Sequence, residues 1–221
     1  MINSYNAIDE LENELTKRIV KSVKKAIKDK NNAKLLLSGG NTPKGVYAKL
    51  SHADIEWEKV QIGLVDERFV ENESKFSNEK MIRDVLIQNK ASKAKLIGML
   101  FDSDYQKNLE VAKSRYKEFK NADIVILGMG NDGHTASIFP NDKSSDKACS
   151  NNRANLANTT APDHPIHRIT LNKAFIFEAN EVVLMITGHE KGLIFENSIQ
   201  RNYPIRHFIH KINSVYYTNN Q

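Results

Sequence analysis

Short apolar runs alternate with amphipathic segments along most of this chain, and this alternation limits its possible folds more than any other feature. The runs at 34–38, 60–65, 123–127 and 181–187 are mostly apolar, which is typical of strands that are buried on both faces. Helical spacing of apolar residues separates them, most clearly over 7–29. Strands and helices in this order predict an α/β fold, with a mainly parallel, Rossmann-like sheet and helices on both faces.

Weaker patterns indicate further elements. We expect helices behind Thr42, a candidate N-cap, and over 79–89 (with Ser77 or Asn78 as the cap), 105–119 and 189–200, strands at 96–100 and 167–171, and a last edge strand at 211–218. The polar, turn-rich stretch 141–155 is expected to be an exposed loop rather than a linker, because strands occur on both sides of it. We therefore interpret residues 1–221 as a single domain that is long enough to bury a large core.

Composition narrows the class of protein. Hydrophobic residues make up 40% and charged residues 27% of the chain, which are ordinary values for a globular protein. No apolar run approaches the roughly 20 residues that span a bilayer, and the N-terminus lacks the apolar core of a signal peptide. The single cysteine of the sequence, Cys149, excludes an internal disulfide. We expect a soluble, cytoplasmic protein without membrane contact.

The net charge of +5 permits nucleic-acid binding. However, the lysines of the first helix occur singly, opposite its apolar side, so we interpret them as a solvated face and expect no nucleic-acid partner. A mild positive field also suits a small phosphorylated substrate. The two H-x-x-H pairs, His164/His167 and His207/His210, lack a third ligand at suitable spacing, so we expect no metal and no cofactor. For the oligomeric state we expect a monomer or a weak dimer.

Unusual residues follow the predicted strands at their carboxyl ends, where ligands bind in sheets of this kind. The first is the S-G-G-N-T-P segment at 38–43, whose glycines allow close backbone approach and whose amides suit a phosphate. A tight turn with a cap is the alternative. Asp66, Glu67 and Arg68 follow the second strand, and adjacent strand residues point to opposite faces, so we expect Asp66 to face the site. Arg68 and Lys191 are cations that either hold an anion or pair with a neighbouring glutamate.

The glycine-rich segment 128–135 matches two nucleotide motifs incompletely. It contains G-x-G-x-x-G, but Pro140 ends any helix too early for a dinucleotide turn. It also contains G-x-x-x-x-G-H-T, with His134 where a P-loop needs lysine. A histidine at a strand end can take a proton from water and return it to a leaving oxygen, and Asp132 can orient its ring. The alternative is a histidine at a helix start that Asp132 caps.

Five motifs carry a resemblance to a known family. They are S-G-G-N-T-P at 38–43, D-E-R-F-V at 66–70 followed by F-S-N at 76–78, G-M-G-N-D-G-H-T-A-S-I-F-P at 128–140, H-R-I-T-L at 167–171 and T-G-H-E-K at 187–191. In this order they resemble the 6-phosphogluconolactonase family. The related glucosamine-6-phosphate deaminases have an aromatic residue in place of Arg68 and continue I-A-F-N-E-P after the histidine. They remain the alternative.

The resemblance implies a sugar-phosphate isomerase/CoA-transferase-like fold and a carboxylic ester hydrolase without a cofactor. The implied reaction is hydrolysis of 6-phospho-D-glucono-1,5-lactone, a step of the oxidative pentose phosphate pathway. By motif, the candidate catalytic residues are His134 as general base, Asp132 and Arg68. The candidate substrate and phosphate residues are Ser38, Gly39, Gly40, Asn41, Thr42, Asp66, Arg68, Arg168 and Lys191. Asn41 replaces the serine that is usual in the family, and the resemblance implies nothing for 206–221.

Overall fold

The computed structural model describes residues 2–220. The strands in that range are β1 (Ile2–Tyr5), β2 (Ala33–Leu37), β3 (Val60–Leu64), β4 (Asp66–Arg68), β5 (Lys95–Ile97), β6 (Ile124–Leu127), β7 (Leu156–Thr160), β8 (His167–Leu171), β9 (Val182–Thr187) and β10 (Ser214–Thr218). The α-helices are α1 (Ile8–Lys30), α2 (Lys44–Ser51), α3 (Asn78–Val85), α4 (Tyr105–Tyr116), α5 (Lys143–Ser150), α6 (Lys173–Phe177) and α7 (His189–Glu196). None of these helices is both long and apolar enough to cross a membrane.

Seven strands form one parallel sheet in the order β1-β10-β9-β6-β2-β3-β5. The central strands β6 and β9 are buried along their whole lengths, and α1 packs against β2, β6 and β10. Continuous apolar strands of this kind need cover on both faces. The predicted α/β fold with a mainly parallel sheet is therefore confirmed.

A second, antiparallel sheet in the order β4-β8-β7 was not predicted. The D-E-R residues leave the parallel sheet after β3 and pair with the H-R-I-T-L strand instead. In that pairing Arg68 lies opposite Arg168, and Asp66 lies opposite Thr170. Both segments are too short for the sequence pattern to show which strand each one pairs with.

The prediction of an exposed loop at 141–155 is wrong, because this stretch contains α5. Asp142 caps the helix, since its carboxylate accepts hydrogen bonds from the backbone N–H groups of Ser144 and Ser145 at 3.3 and 2.9 Å. Ala148 and Cys149 are buried on the inner side of the helix. Two apolar side chains in eight residues are too few to give a helical pattern in the sequence.

The last strand was predicted at the sheet edge, and this is also wrong. β10 lies between β9 and β1, so the N-terminal strand β1 forms that edge. β1 was missed because its four residues are partly exposed and mostly polar. Tyr5 nevertheless stacks on Tyr216, with ring centroids 5.8 Å apart.

Two helix starts test the capping predictions. Ser77 caps α3 as predicted, because its Oγ accepts a hydrogen bond from the backbone N–H of Lys80 at 3.0 Å. The predicted cap at Thr42 is wrong. Pro43 occupies the N-cap position of α2, and no side chain caps that helix. Thr42 instead stays in the loop that precedes it.

Candidate active site

A cavity of about 210 Å³ lies at the carboxyl ends of β2 and β6, beside strands β4 and β8. The predicted site residues in its wall are Ser38, Gly39, Gly40, Asn41, Thr42, Asp66, Arg68, His134, Arg168 and Lys191. Pro43, Asn78, Gly128, Met129, Gly130 and Ala136 complete it. Asp132 does not line the cavity but contacts His134. Four larger clefts on the described surface contain no histidine in their walls.

The loop after β2 supplies backbone donors to this cavity. Tyr47 fixes the start of the loop, because its hydroxyl donates to the backbone oxygen of Ser38 at 2.8 Å. Gly40 has a φ of 91°, which favours glycine. The backbone N–H groups of 39–42 donate to no other residue of the described chain. The loop thus presents unpaired donors to an incoming ligand.

Asn78 explains why the second residue of the S-G-G-N-T-P segment is glycine. Its side-chain Nδ2 donates to the backbone oxygen of Asp66 at 2.9 Å, and a Cβ on Gly39 would overlap the Asn78 amide. Asn78 was predicted only as a candidate helix cap and as part of a motif, and not as a site residue. Its position at a helix start, after a strand-end D-E-R motif, was the available signal.

Three cations lie in the cavity wall without a carboxylate partner among the described residues, namely Arg68, Arg168 and Lys191. Arg68 donates from Nη1 to the backbone oxygen of Phe76 at 2.7 Å, and its buried Nε has no partner. Arg168 donates from Nε to the backbone oxygen of Pro165 at 2.7 Å and packs over the Phe139 ring. The arginine ion pairs of residues 2–220 belong to Arg18 and Arg83 instead.

The pKa values of two cavity cations indicate that this wall favours an anion. Burial, together with the neighbouring charge of Arg68, lowers the pKa of Arg168. Burial likewise lowers the pKa of Lys191, although Glu190 opposes this effect. Both shifts mean that the positive charges are poorly compensated in the free protein. A phosphate or carboxylate in the cavity would supply the missing negative charge.

His134 and Asp132 form a tight pair beside these cations. The Nδ1 atom of His134 lies 2.5 Å from Oδ1 of Asp132, and the His134 backbone N–H donates to the same oxygen at 3.1 Å. Burial acts to raise the pKa of Asp132, but the hydrogen bonds and charge of His134 outweigh it and hold that pKa below its ordinary value. An ionised carboxylate only accepts hydrogen bonds, so in a neutral imidazole Nδ1 carries the proton and Nε2 keeps its lone pair.

Backbone contacts hold the loop that carries this histidine. The Gly130 N–H donates to the His134 carbonyl at 2.9 Å. Gly133 has a φ of 73°, and its carbonyl accepts from the Ile205 N–H at 2.9 Å. Tyr203 packs where a Cβ on Gly133 would lie. The chain near 203–205, which carries none of the five motifs, therefore supports the loop of His134.

The two neighbouring acids have separate places. Asp66 lines the cavity. Glu67 is fully buried and accepts four hydrogen bonds of 2.7–3.0 Å, from the backbone N–H groups of Arg68, Asn78 and Glu79 and from the Ser77 hydroxyl. Burial outweighs these donors and raises the pKa of Glu67 to about 7. Glu67 therefore ties β4 to the start of α3 and does not line the cavity.

A metal site in a protein needs several ligating side chains close together. Within 2–220, no three His, Cys, Asp or Glu side chains lie close enough to hold a metal ion.

Known proteins resemble this chain in sequence and fold. The family model of glucosamine-6-phosphate isomerases/6-phosphogluconolactonase matches residues 6–217. A 6-phosphogluconolactonase from Neisseria meningitidis serogroup A is 34% identical over 210 residues, which are 92% of this chain and 91% of the relative. One from Helicobacter pylori strain J99 is 30% identical over 200 residues, 90% of this chain and 87% of the relative.

A solved structure agrees with both relatives. The crystal structure of a 6-phosphogluconolactonase from Shewanella baltica superposes with a TM-score of 0.92 at 31% identity, covering 99% of this chain and 96% of the other. The motifs that predicted this relationship lie within the matched residues 6–217. The chain belongs to the glucosamine-6-phosphate isomerase/6-phosphogluconolactonase family.

Proposed function

We propose that this protein hydrolyses 6-phosphogluconolactone to 6-phosphogluconate. One observation carries the proposal: the His134–Asp132 pair and three cations without carboxylate partners meet at a single cavity of about 210 Å³. The pair suits the activation of water, and the cations suit a phosphorylated substrate. The names of the relatives support the lactone as the substrate.

In the proposed reaction His134 is the general base. Its Nε2 takes a proton from a water molecule, whose oxygen attacks the lactone carbonyl carbon. When the tetrahedral intermediate collapses, the bond to the ring oxygen breaks, and His134 returns its proton to that oxygen. The product is a single open-chain acid, in which the former ring oxygen has become a hydroxyl group. Asp132 holds the imidazole in the required tautomer and stabilises its positive charge during the reaction.

The cations and the glycine loop provide the phosphate site in this proposal. Arg68, Arg168 and Lys191 hold the phosphate, and the free amides of 39–42 donate to its oxygens. Anchoring the phosphate places the carbonyl carbon beside the base, and such positioning accelerates a reaction strongly. A lactone is a reactive ester, so this arrangement needs no covalent nucleophile.

The test is a coupled assay in which glucose-6-phosphate dehydrogenase generates the lactone. We expect the purified protein to accelerate loss of the lactone above its spontaneous hydrolysis. His134→Ala should remove most of this gain, since a general base contributes about 10²–10⁴-fold. The exposed His210 provides a matched control, and His210→Ala should retain full activity. No acceleration by the wild-type protein would refute the proposal.

Amino-sugar phosphate deamination is the second candidate, because the matching family model also covers glucosamine-6-phosphate isomerases. Arg68 and the sequence after His134 argue against it. We expect no ammonia release when the protein is incubated with glucosamine 6-phosphate. Ammonia release at a rate above that of lactone hydrolysis would favour the deaminase.

The proposal also covers the domain organisation, cellular location, oligomeric state and nucleic-acid binding of the protein. We propose that residues 1–221 act as one domain, in the cytoplasm, as a monomer or weak dimer that does not bind nucleic acid. Light scattering across a concentration series tests the oligomeric state. Retention on immobilised DNA at physiological salt would contradict the expected absence of nucleic-acid binding.

A further inference from the structure

Ser137 makes three buried hydrogen bonds just outside the cavity wall. Its Oγ donates to Oδ2 of Asp66 at 2.6 Å, and its backbone N–H donates to Oγ1 of Thr170 at 3.2 Å. Its backbone oxygen accepts from the Thr159 hydroxyl at 2.7 Å. Ser137 has no exposed surface. It therefore joins the loop after β6 to all three strands of the antiparallel sheet.

The contact with Asp66 leaves one carboxylate oxygen available. Oδ2 is held by Ser137, while Oδ1 accepts no hydrogen bond from any residue in 2–220. Asp66 is also the one carboxylate among the described residues of the cavity wall, where the other charged groups are Arg68, Arg168 and Lys191. A carboxylate repels a phosphate but accepts hydrogen bonds from hydroxyl groups. Its chemistry suits the hydroxyl-bearing part of a sugar.

Ser137 also connects Asp66 to the proposed base. It follows His134 by three residues, and the intervening chain is held in a tight turn by the hydrogen bond from the Ile138 N–H to the Thr135 carbonyl at 3.0 Å. One short, buried segment thus has the histidine at one end and the Asp66 contact at the other. This turn sets the spacing between the two groups.

We propose that Ser137 is a positioning residue that orients Asp66, so that Oδ1 accepts a hydrogen bond from a sugar hydroxyl of the substrate. The proposal rests on the proposed lactonase function, since it assigns the part of the lactone that Asp66 recognises. Ser137 touches no substrate atom and acts only through Asp66.

The main variant is Ser137→Ala. We expect KM for the lactone to rise about tenfold, the size expected for losing a well-oriented bond to a charged acceptor, while kcat changes less than about threefold. The inhibition constant of inorganic phosphate should change less than about twofold, because the cations that bind it are untouched. Ser137→Cys keeps the shape but donates weakly and should have an intermediate KM. It also serves if the alanine variant does not fold.

Ser22 provides a matched control. Its Oγ also donates to a partly buried carboxylate, that of Glu181, at 2.6 Å, but at the amino end of β9, whereas the cavity lies at the carboxyl ends of the strands. Ser22→Ala removes the same type of hydrogen bond, so it controls for a general loss of stability. Its KM and kcat should match those of the wild type.

A double-mutant cycle tests whether Ser137 acts through Asp66. In an Asp66→Ala background, Ser137→Ala should raise KM by less than about twofold further. Equal effects of Ser137→Ala in both backgrounds would overturn the proposal. So would a parallel weakening of phosphate inhibition, or a loss of kcat at unchanged KM, because each would indicate a general distortion of the cavity.

A structure of Ser137→Ala separates this inference from the proposed function. We expect the Asp66 carboxylate to rotate away from its wild-type position while His134 stays in place. An unchanged carboxylate would overturn the positioning role, whatever reaction the wild type catalyses. A wild-type protein without lactonase activity would instead overturn the proposed function.

Discussion

Arg68 and Arg168 lie directly opposite each other on antiparallel strands, and no described carboxylate forms an ion pair with either guanidinium. Arg168 is almost fully buried, so it loses hydration as well as facing a like charge. This arrangement lowers the stability of the free protein. An anion bound between the two side chains relieves both costs.

The first prediction concerns stabilisation by phosphate. At a concentration of about 100 Kd, inorganic phosphate should add about 2.7 kcal/mol to the free energy of unfolding, a Tm increase of roughly 5–10 °C for a chain of this size. Arg168→Met should raise Tm in the absence of phosphate and remove most of the response. Differential scanning calorimetry measures both. Arg83→Met, which removes an exposed arginine paired with Glu79, is the control, and a full response in Arg168→Met would contradict the prediction.

The second prediction concerns the partner of the histidine. Asp132→Asn keeps an acceptor but loses the charge that fixes the imidazole tautomer, so kcat should fall by about 10²-fold with little change in KM. Steady-state kinetics with the lactone provide the measurement. Unchanged kcat would show that the 2.5 Å contact is only structural.

The third prediction follows from the lowered pKa of Asp132. Because its pKa in the folded state is below the ordinary 3.8, the ionised carboxylate stabilises the fold above that pH. This stability is lost as the pH falls through the lower, folded-state pKa. Tm measured between pH 6 and pH 2 should therefore fall less steeply for Asp132→Asn than for the wild type. Parallel curves would contradict the expected linkage.

The fourth prediction separates two glycines of the cavity wall. Gly39→Ala should destabilise the fold by about 1–3 kcal/mol, because its Cβ would overlap the Asn78 side chain. Gly128→Ala should leave Tm almost unchanged, since a Cβ there meets no atom within 4 Å. That methyl group would narrow the cavity, so KM should rise. Thermal denaturation and kinetics of the two variants distinguish these effects, and equal losses of stability would contradict them.

The fifth prediction concerns Cys149. Burial raises the pKa of its thiol to about 11, so only about one thiol in a thousand is ionised at pH 8. Alkylation by iodoacetamide should be far slower than for a cysteine peptide and should rise about tenfold per pH unit towards pH 11. Mass spectrometry gives the rates. Rapid labelling at pH 8 would show that the α5 helix opens readily.

The parallel sheet could be predicted because the apolar sequences of its central strands indicate that these strands are buried. The continuous apolar residues of β6 and β9 have no explanation other than cover on both faces. The topology rules then indicate which strand ends meet, so the loop at 38–43 and the segment at 128–135 were expected at one edge. The sequence pattern does not show, however, which strands pair with each other. Nothing in D-E-R or H-R-I-T-L specifies that Arg68 lies opposite Arg168.

Individual side-chain contacts likewise could not be predicted from the sequence pattern. Asn78 contacts the backbone of Asp66 across twelve residues of chain, and Ser137 contacts its carboxylate across seventy-one. Each depends on how two separate elements pack, and neither residue is unusual in its own segment. The same holds for α5, whose stability comes from the Asp142 cap and from tertiary packing rather than from an apolar periodicity.

The antiparallel sheet carries Asp66, Arg68 and Arg168, whereas the histidine lies on a loop of the parallel sheet. Three of the groups suited to recognition therefore belong to a different structural unit from the group suited to proton transfer. A protein engineer who seeks a new substrate can vary Arg68 and Arg168 on these strands and keep the strand residues that Ser137 contacts, so that the loop of His134 stays intact.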